Sequence, residues 1–180
     1  MCCSGSESRD IACVIDTSVV IAALLGDITY KRLMECRVTC YTLSYVFSEV
    51  AKHWDRLALW KARKLGVTPE DVIERFENRM KAMTAKLRMV PEDWVHPYQD
   101  EAFKIIGWRD SGDVPIMALA LYLRAELGAR VCIISTDDDF EEATKHGFAW
   151  KKRPCNVLAR EVLYLLDQPP GRDEDALGSG

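Results

Sequence analysis

Apolar residues occur along this chain in two arrangements. Some form short continuous runs that end at turn residues, which is typical of strands buried on both faces of a sheet. Others recur every three or four positions, which predicts helices with one apolar face. The predicted strands cover residues 11–15, 38–41, 88–90, 131–135 and 148–150. The predicted helices cover residues 19–25, 28–35, 45–64, 68–87, 97–106, 116–127 and 157–166, with a further short helix that ends at residue 146.

Capping signals support two of these helix boundaries. Thr42 and Ser44 offer hydroxyl groups to the first free backbone N–H groups of helix 45–64. Thr68 begins the next helix, and Asp71, three positions later, completes a capping box. These signals predict two separate helices between the second and third strands.

Strands that alternate with helices predict a mostly parallel sheet covered by helices on both faces. The predicted fold class is therefore α/β, as a three-layer α/β/α sandwich. A length of 180 residues favours one domain, which we place at residues 10–167. Residues 1–9 are predicted to be a disordered leader, and residues 168–180 a disordered tail.

The net charge of -4 comes from acidic and basic residues that are mixed along the chain, without a basic tail that would indicate nucleic acid. This is only weak evidence against a polyanionic substrate, because an acidic protein can bind one through a local patch or bound metal ions. No apolar run approaches the roughly 20 residues that a membrane helix needs. We therefore expect a soluble, cytoplasmic protein with no membrane partner.

The seven cysteines do not form a recognisable metal motif. No pair has Cys-X-X-Cys spacing and the chain has only three histidines, so a zinc site is not expected. Cys13 and Cys132 fall inside predicted buried strands, where a free thiol behaves as a small apolar group. A disulfide, for instance between Cys36 and Cys155, is expected mainly in a protein from a hyperthermophile.

Two of the predicted buried strands lead directly to aspartates. Asp16 follows strand 11–15, and Asp137 follows strand 131–135 after one threonine. Because parallel strands share a carboxyl edge, both acids are expected at one rim, where α/β folds bind ligands. Asp113 stands at the start of the helix before the second of these strands and can face the same rim, although an N-cap is its simpler interpretation.

Glu49 lies in an apolar stripe of the predicted helix 45–64, with Val46, Val50 and His53 at helical spacing. Taken alone, a glutamate in such a stripe more often lies at its edge. Since three other acids are predicted at one rim, we expect Glu49 to join them.

Four carboxylates in one crevice repel one another and cannot all be ionised without a cation. Mg²⁺ and Mn²⁺ prefer carboxylate and water oxygens, and they keep coordination positions open for phosphate. Such a site can activate water and stabilise the leaving oxygen in phosphodiester cleavage, without a histidine or cysteine nucleophile. The acids therefore indicate metal-assisted hydrolysis.

The acids and their flanking residues fall into four segments. These are Val-Ile-Asp-Thr-Ser at 14–18, then Glu49, then Asp-Ser-Gly-Asp-Val-Pro at 110–115 leading into Ala-Leu-Ala-Leu at 118–121, and finally Ile-Ser-Thr-Asp-Asp-Asp-Phe at 134–140. In this order and spacing, they resemble the PIN-domain family, and the resemblance covers about residues 10–167. It implies a metal-dependent ribonuclease, a class that includes the toxins of VapBC toxin–antitoxin pairs.

The resemblance also implies a role for each polar residue of these segments. The catalytic, metal-binding acids would be Asp16, Glu49, Asp113 and Asp137, with Asp139 as an auxiliary acid and with Ser18 and Ser135 orienting ligands or water. Family members often carry threonine where Ser135 stands, and serine keeps the hydroxyl. The implied cofactor is Mg²⁺ or Mn²⁺, and the implied partners are an RNA substrate, a second copy of the chain and an antitoxin protein.

Other residues near these segments have less specific interpretations. Asp138 is expected to face solvent, and Asp110 is an extra acid near the site. Trp108, on the loop before Asp113, has the best position of the five tryptophans to stack on a base, although tryptophans more often serve in packing.

Two other functions fit parts of the pattern. A phosphatase with an aspartyl nucleophile also has an acid at the tip of its first strand, but it needs a second acid two residues later, where Ser18 stands. A catalytically inactive PIN-like module would serve as an RNA-binding or assembly scaffold. The presence of all four acids disfavours this alternative, because a site without metal could lose costly charges.

Overall fold

The computed structural model describes residues 11–152. The predicted leader, the predicted helix 157–166 and the predicted tail lie outside this range, as does Cys155.

A parallel sheet lies at the centre of the described structure. Its strands are β1 (Ile11–Ile15), β2 (Thr39–Leu43), β3 (Arg88–Val90), β4 (Arg130–Ile134) and β5 (Ala149–Lys151). They are arranged in the order β3-β2-β1-β4-β5, and each neighbouring pair is parallel. The expectation of a mostly parallel sheet is confirmed.

Helices fill the connections between the strands. The α-helices of the described range are α1 (Thr17–Leu25), α2 (Asp27–Glu35), α3 (Tyr45–Lys52), α4 (Trp54–Leu65), α5 (Pro69–Lys86), α6 (Glu92–Val95), α7 (Gln99–Ala102) and α8 (Val114–Leu127). Short 3₁₀ segments cover His96–Tyr98, Ser111–Asp113 and Asp138–His146, and a π-helical turn covers Phe103–Gly107. This alternation of strands and helices confirms the three-layer α/β/α fold.

The core is built around β1, β4 and α8. Residues 13–15 and 132–134 are completely buried, as expected of central strands covered on both faces. Helix α8 is apolar on nearly all sides and packs against β1, β2 and β4. No helix in the described range has the length and apolar character needed to cross a membrane.

The predicted continuous helix 45–64 is wrong, because the chain breaks at His53. The backbone of His53 leaves the helical region (φ -105°, ψ 1°), and its N–H bonds to the carbonyl of Val50. The break allows α3 to pack against α1 while α4 packs against α5. Tertiary packing thus overrides a local sequence that has no helix-breaking residue.

The predicted helix 97–106 is also divided. Residues 96–98 form a 3₁₀ turn, α7 follows, and the segment ends in the π-helical turn at Phe103–Gly107. The ring of Phe103 lies so close to Gly107 that a Cβ atom at this position would clash with it. A glycine is therefore required where the chain turns toward Asp113.

The capping box of α5 is confirmed, because the Thr68 hydroxyl accepts from the backbone N–H of Asp71 and the Asp71 carboxylate accepts from Thr68. The expected caps of the helix that begins at Tyr45 are wrong. Thr42 instead donates to the carbonyl of Ile15 at 2.8 Å, which ties the end of β2 to the end of β1.

The N-terminus of α3 is capped from a distant part of the chain. The Glu92 carboxylate accepts from the backbone N–H of Tyr45 at 2.7 Å and from the Ser44 hydroxyl at 3.1 Å. A local reading of the sequence cannot find this cap, since the acid lies almost fifty residues away.

Replacement of Glu92 by alanine should lower the free energy of unfolding by about 1 kcal/mol, because the first N–H groups of α3 lose their acceptor. Chemical denaturation measures this change. The matched control is Asp93→Ala, an exposed acid one position further, which should change stability by less than about 0.5 kcal/mol. Equal effects of the two substitutions would contradict the capping role.

Candidate metal centre

The carboxyl ends of β1 and β4 form one rim. Ile15 and Ile134 pair in register, so the residues that follow them leave the sheet at the same level. The backbone N–H of Asp16 donates to the carbonyl of Ile134 at 3.1 Å and extends the ladder by one bond. The sheet register therefore brings Asp16 next to Ser135, at the shared carboxyl edge that the strand assignments predicted for Asp16 and Asp137.

Asp16 is buried and firmly held. One carboxyl oxygen accepts from the backbone N–H of Thr17 at 2.6 Å. The other accepts from the hydroxyls of Ser18 at 2.7 Å and Ser135 at 2.8 Å. Asp16 itself is thus the N-cap of α1. Three donors fix the direction of this carboxyl before any ligand arrives.

The two serines extend this network into the loop after β4. The Ser135 hydroxyl accepts from the backbone N–H of Asp137 at 3.0 Å, and the Ser18 hydroxyl accepts from that of Thr136 at 3.1 Å. Each serine donates to Asp16 and accepts from the loop. Ser18 and Ser135 were expected to orient ligands or water. In this structure, they orient Asp16 and the loop that carries Asp137.

Three further acids converge beside this network. Asp113, Asp137 and Asp139 each offer a carboxyl oxygen, and these oxygens lie within 4.8 Å of one another. A carboxyl oxygen of Asp137 also accepts from the backbone N–H of Asp139 at 2.9 Å, which fixes the turn between them. We refer to Asp16, Asp113, Asp137 and Asp139 as the acidic rim.

The surroundings of Asp113 give the strongest indication of a metal ligand. Asp113 occupies the expected N-cap position of α8, but its side chain makes no capping hydrogen bond, and Asp110 accepts from Gly112 in the preceding turn. One carboxyl oxygen of Asp113 is buried without a hydrogen-bond partner in the described part of the chain. Buried polar atoms normally have partners, and an orphan oxygen among carboxylates is suited to a cation.

The electrostatics of Asp113 agree with this geometry. Burial, followed by the nearby carboxylates of Asp16 and Asp137, raises the pKa of Asp113 to about 7. The ionised carboxylate is therefore costly in the protein without a cation. Hard divalent cations prefer carboxylate oxygens of this kind, so the residues of the acidic rim fit Mg²⁺ or Mn²⁺.

Glu49 lies apart from the close group of oxygens. Its side chain is exposed and pairs with Lys52, one turn later on α3, at 2.6 Å. Glu49 is nevertheless near enough to influence Tyr45, a residue that the acidic rim also influences. Burial and the charges of Asp16, Asp113 and Glu49 raise the pKa of Tyr45. A role for Glu49 as a metal ligand stays a prediction, and it requires the carboxylate to leave Lys52.

Arg109 is a cation at the rim that the sequence analysis did not single out. Its guanidinium lies 3.5 Å from a carboxyl oxygen of Asp139 and 3.4 Å from one of Glu142. It also lies over the ring of Trp108, 4.7 Å from the ring centre. The sequence feature that could have identified Arg109 is its position four residues before Asp113 on the same loop.

Three cysteines also come together, in a separate part of the core. The sulfur atoms of Cys13, Cys36 and Cys40 lie within 4.8 Å of one another, and all three residues are buried. They occupy β1, the end of α2 and β2, so spacing along the chain does not reveal them. The thiol of Cys132 interacts with Cys13, but it does not join the three sulfur atoms within 4.8 Å. The described residues therefore do not complete the tetrahedral site that structural zinc prefers, and the thiols pack as small apolar groups.

Comparison with known protein families gives a match to the family model described as a PIN domain, over residues 14–148. The matched range contains the acidic rim, Glu49 and both serines that hold Asp16. No curated protein matches the sequence. The family match agrees with the resemblance carried by the four sequence segments.

In the metal-free protein, Asp113→Asn should raise stability at pH 8 and have little effect near pH 4. The pKa of Asp113 is about 7 in the folded protein and lower in the unfolded chain, so the folded state binds more protons between these values. The wild type therefore loses stability as the pH rises toward 7. The full shift corresponds to about 4 kcal/mol, and the partial exposure of the side chain reduces the expected gain to about 1–2 kcal/mol.

Thermal or chemical unfolding of metal-free wild type and variant at both pH values measures this effect. Asp138→Asn removes an exposed acid next to Asp137 and Asp139 and serves as the control, with no pH-dependent gain expected. If the stability difference for Asp113→Asn were the same at pH 4 and pH 8, ionisation of Asp113 would not destabilise the folded protein, which would contradict the prediction.

Proposed function

Because this chain belongs to the PIN-domain family, we propose that it is a metal-dependent endoribonuclease that hydrolyses RNA phosphodiester bonds. The main support is the acidic rim, above all the buried and unpartnered carboxyl oxygen of Asp113. An acid in this environment has no evident structural role. The free-energy cost of its buried, ionised carboxylate is offset when a divalent cation is bound.

In this proposal, Asp16, Glu49, Asp113 and Asp137 hold Mg²⁺ or Mn²⁺, and Asp139 is an auxiliary acid. When bound, such an ion promotes ionisation of a coordinated water and offsets negative charge on the scissile phosphate. Asp16 contributes a carboxyl whose direction is already set by Thr17, Ser18 and Ser135. This preorganisation means that little rearrangement is needed when the ligands assemble.

The substrate and product follow from the family resemblance. Water attacks the phosphorus in line with the leaving oxygen, and the product carries a 5′-phosphate. The mildly acidic protein binds RNA through the metal site and through local cations such as Arg109, which already lies at the rim.

In its finer form, the proposal identifies the enzyme as a cytoplasmic VapBC-type toxin that forms a homodimer and binds an antitoxin protein. Exposed apolar side chains on α4 and just after it support a protein-binding surface there: Leu59, Leu65 and Val67. An amphipathic antitoxin helix or a second copy of the chain can cover such side chains.

The alternative is a catalytically inactive PIN-like module that binds RNA or supports an assembly. It needs no metal, and the burial and repulsion that raise the pKa of Asp113 then remain. The nuclease proposal accounts for this repulsion directly.

Asp16→Asn should lower the rate of cleavage of a labelled single-stranded RNA by about 100-fold or more in Mg²⁺ or Mn²⁺. The neutral side chain no longer supplies a charged ligand at the buried centre of the rim. Gel-based cleavage assays measure the rate, and excess EDTA should stop the wild-type reaction.

The control for this variant is Asp138→Asn, which changes an exposed acid paired with Lys152 and should cleave like wild type. Wild-type protein that binds the RNA without cutting it in either metal would refute the nuclease proposal and favour the scaffold.

A further inference from the structure

Trp108 presents a large aromatic surface to solvent beside the acidic rim. Its side chain is 65% exposed, although an indole normally buries most of its area. The ring is nevertheless held in place, because its N–H donates to the carbonyl of Ile105 at 3.3 Å. An exposed ring with a fixed orientation is a ready surface for stacking.

The turn that carries Trp108 is itself shaped by a second exposed aromatic side chain. Phe103 is 54% exposed, and its ring lies against Gly107, the residue before Trp108. The π-helical turn between them is an uncommon conformation that often occurs at functional sites. Local packing therefore sets where the chain places Trp108.

Arg109 connects this aromatic surface to the acidic rim. Its guanidinium lies over the ring of Trp108 and makes long contacts with Asp139 and Glu142. Contacts of this length are weak, and a cation bound by the rim acids would compete with Arg109 for Asp139. The guanidinium is then available to a phosphate group, which it can bind through two parallel hydrogen bonds.

We propose that Trp108 and Arg109 form a binding subsite for one unpaired nucleotide of the RNA, next to the acidic rim. Trp108 stacks on the base, and Arg109 binds the phosphate attached to the same nucleotide. This inference rests on the proposed function, and it adds that the substrate is single-stranded where it meets the rim. A base inside a duplex is already stacked on its neighbours and cannot lie on the indole.

Trp60 and Lys64 on α4 provide a matched comparison within the same chain. Trp60 is 51% exposed, and the Lys64 ammonium lies 5.2 Å from its ring centre. Among the described residues, no hydrogen bond or ion pair connects this pair to the acidic rim. An exposed tryptophan with a neighbouring cation is thus present at both places, and only the pair at Trp108 contacts rim acids.

The test measures binding of a fluorescent single-stranded oligoribonucleotide to full-length protein in Ca²⁺, together with KM and kcat for its cleavage in Mn²⁺. Trp108→Ala should weaken binding and raise KM by about tenfold, while kcat changes little. Trp108→Phe should retain most of the affinity because it keeps an aromatic face, and Arg109→Gln should weaken binding and reduce its salt dependence. Trp60→Ala should bind and cleave like wild type.

Unchanged binding and KM in Trp108→Ala would overturn the subsite and leave the nuclease proposal intact. Equal losses in Trp108→Ala and Trp60→Ala would also overturn it, because they would indicate a general effect of removing surface tryptophans. If the wild-type protein binds the RNA without cleaving it, and Trp108→Ala weakens this binding, the result would support the subsite and refute the nuclease proposal. The single-strand requirement would be contradicted if a duplex of the same sequence bound as tightly as the single strand and lost the same affinity in Trp108→Ala.

Discussion

Repulsion between carboxylates at the carboxyl edge of a buried parallel sheet is the constraint around which this molecule is arranged. The sheet register places Asp16 and the loop after β4 at one level, and the turn before α8 brings Asp113 between them. Burial makes the largest contribution to the cost of ionising Asp113, and repulsion by the neighbouring carboxylates adds to it. In the proposed function, a divalent cation offsets this cost and assists phosphodiester cleavage at the same place.

Hydrogen bonds from the surrounding structure hold Asp16 and the loop that carries Asp137. Asp16 is fixed by two serine hydroxyls and a backbone N–H, and the same serines hold the loop that carries Asp137. Thr42 ties the neighbouring strand end to the carbonyl just before Asp16. These hydrogen bonds link three strands at their carboxyl ends, so the position of Asp16 depends directly on the sheet.

Sequence patterns predicted the parts of this structure that depend on local periodicity. The buried runs before Asp16 and Asp137 identified the two central strands, and the parallel arrangement placed both acids at one edge. The capping box at Thr68 was equally readable, because both of its partners lie within one helical turn.

The features that escaped prediction depend on contacts between distant segments. The helix break at His53 follows from the packing of α3 and α4 on different neighbours, and Glu92 caps α3 from another part of the chain. The contact of Arg109 with Asp139 arises only once the fold brings their loops together. The pairing of the partly exposed Glu49 with Lys52 was likewise not predicted, and a place for Glu49 among the metal ligands stays a prediction.

The account depends most on a divalent cation at the acidic rim, and anomalous diffraction from crystals soaked in Mn²⁺ tests this directly. We predict one anomalous peak at roughly 2–2.3 Å from the buried carboxyl oxygen of Asp113 and from a carboxyl oxygen of Asp137. A peak that lies elsewhere on the protein, or none at saturating Mn²⁺, would contradict the account.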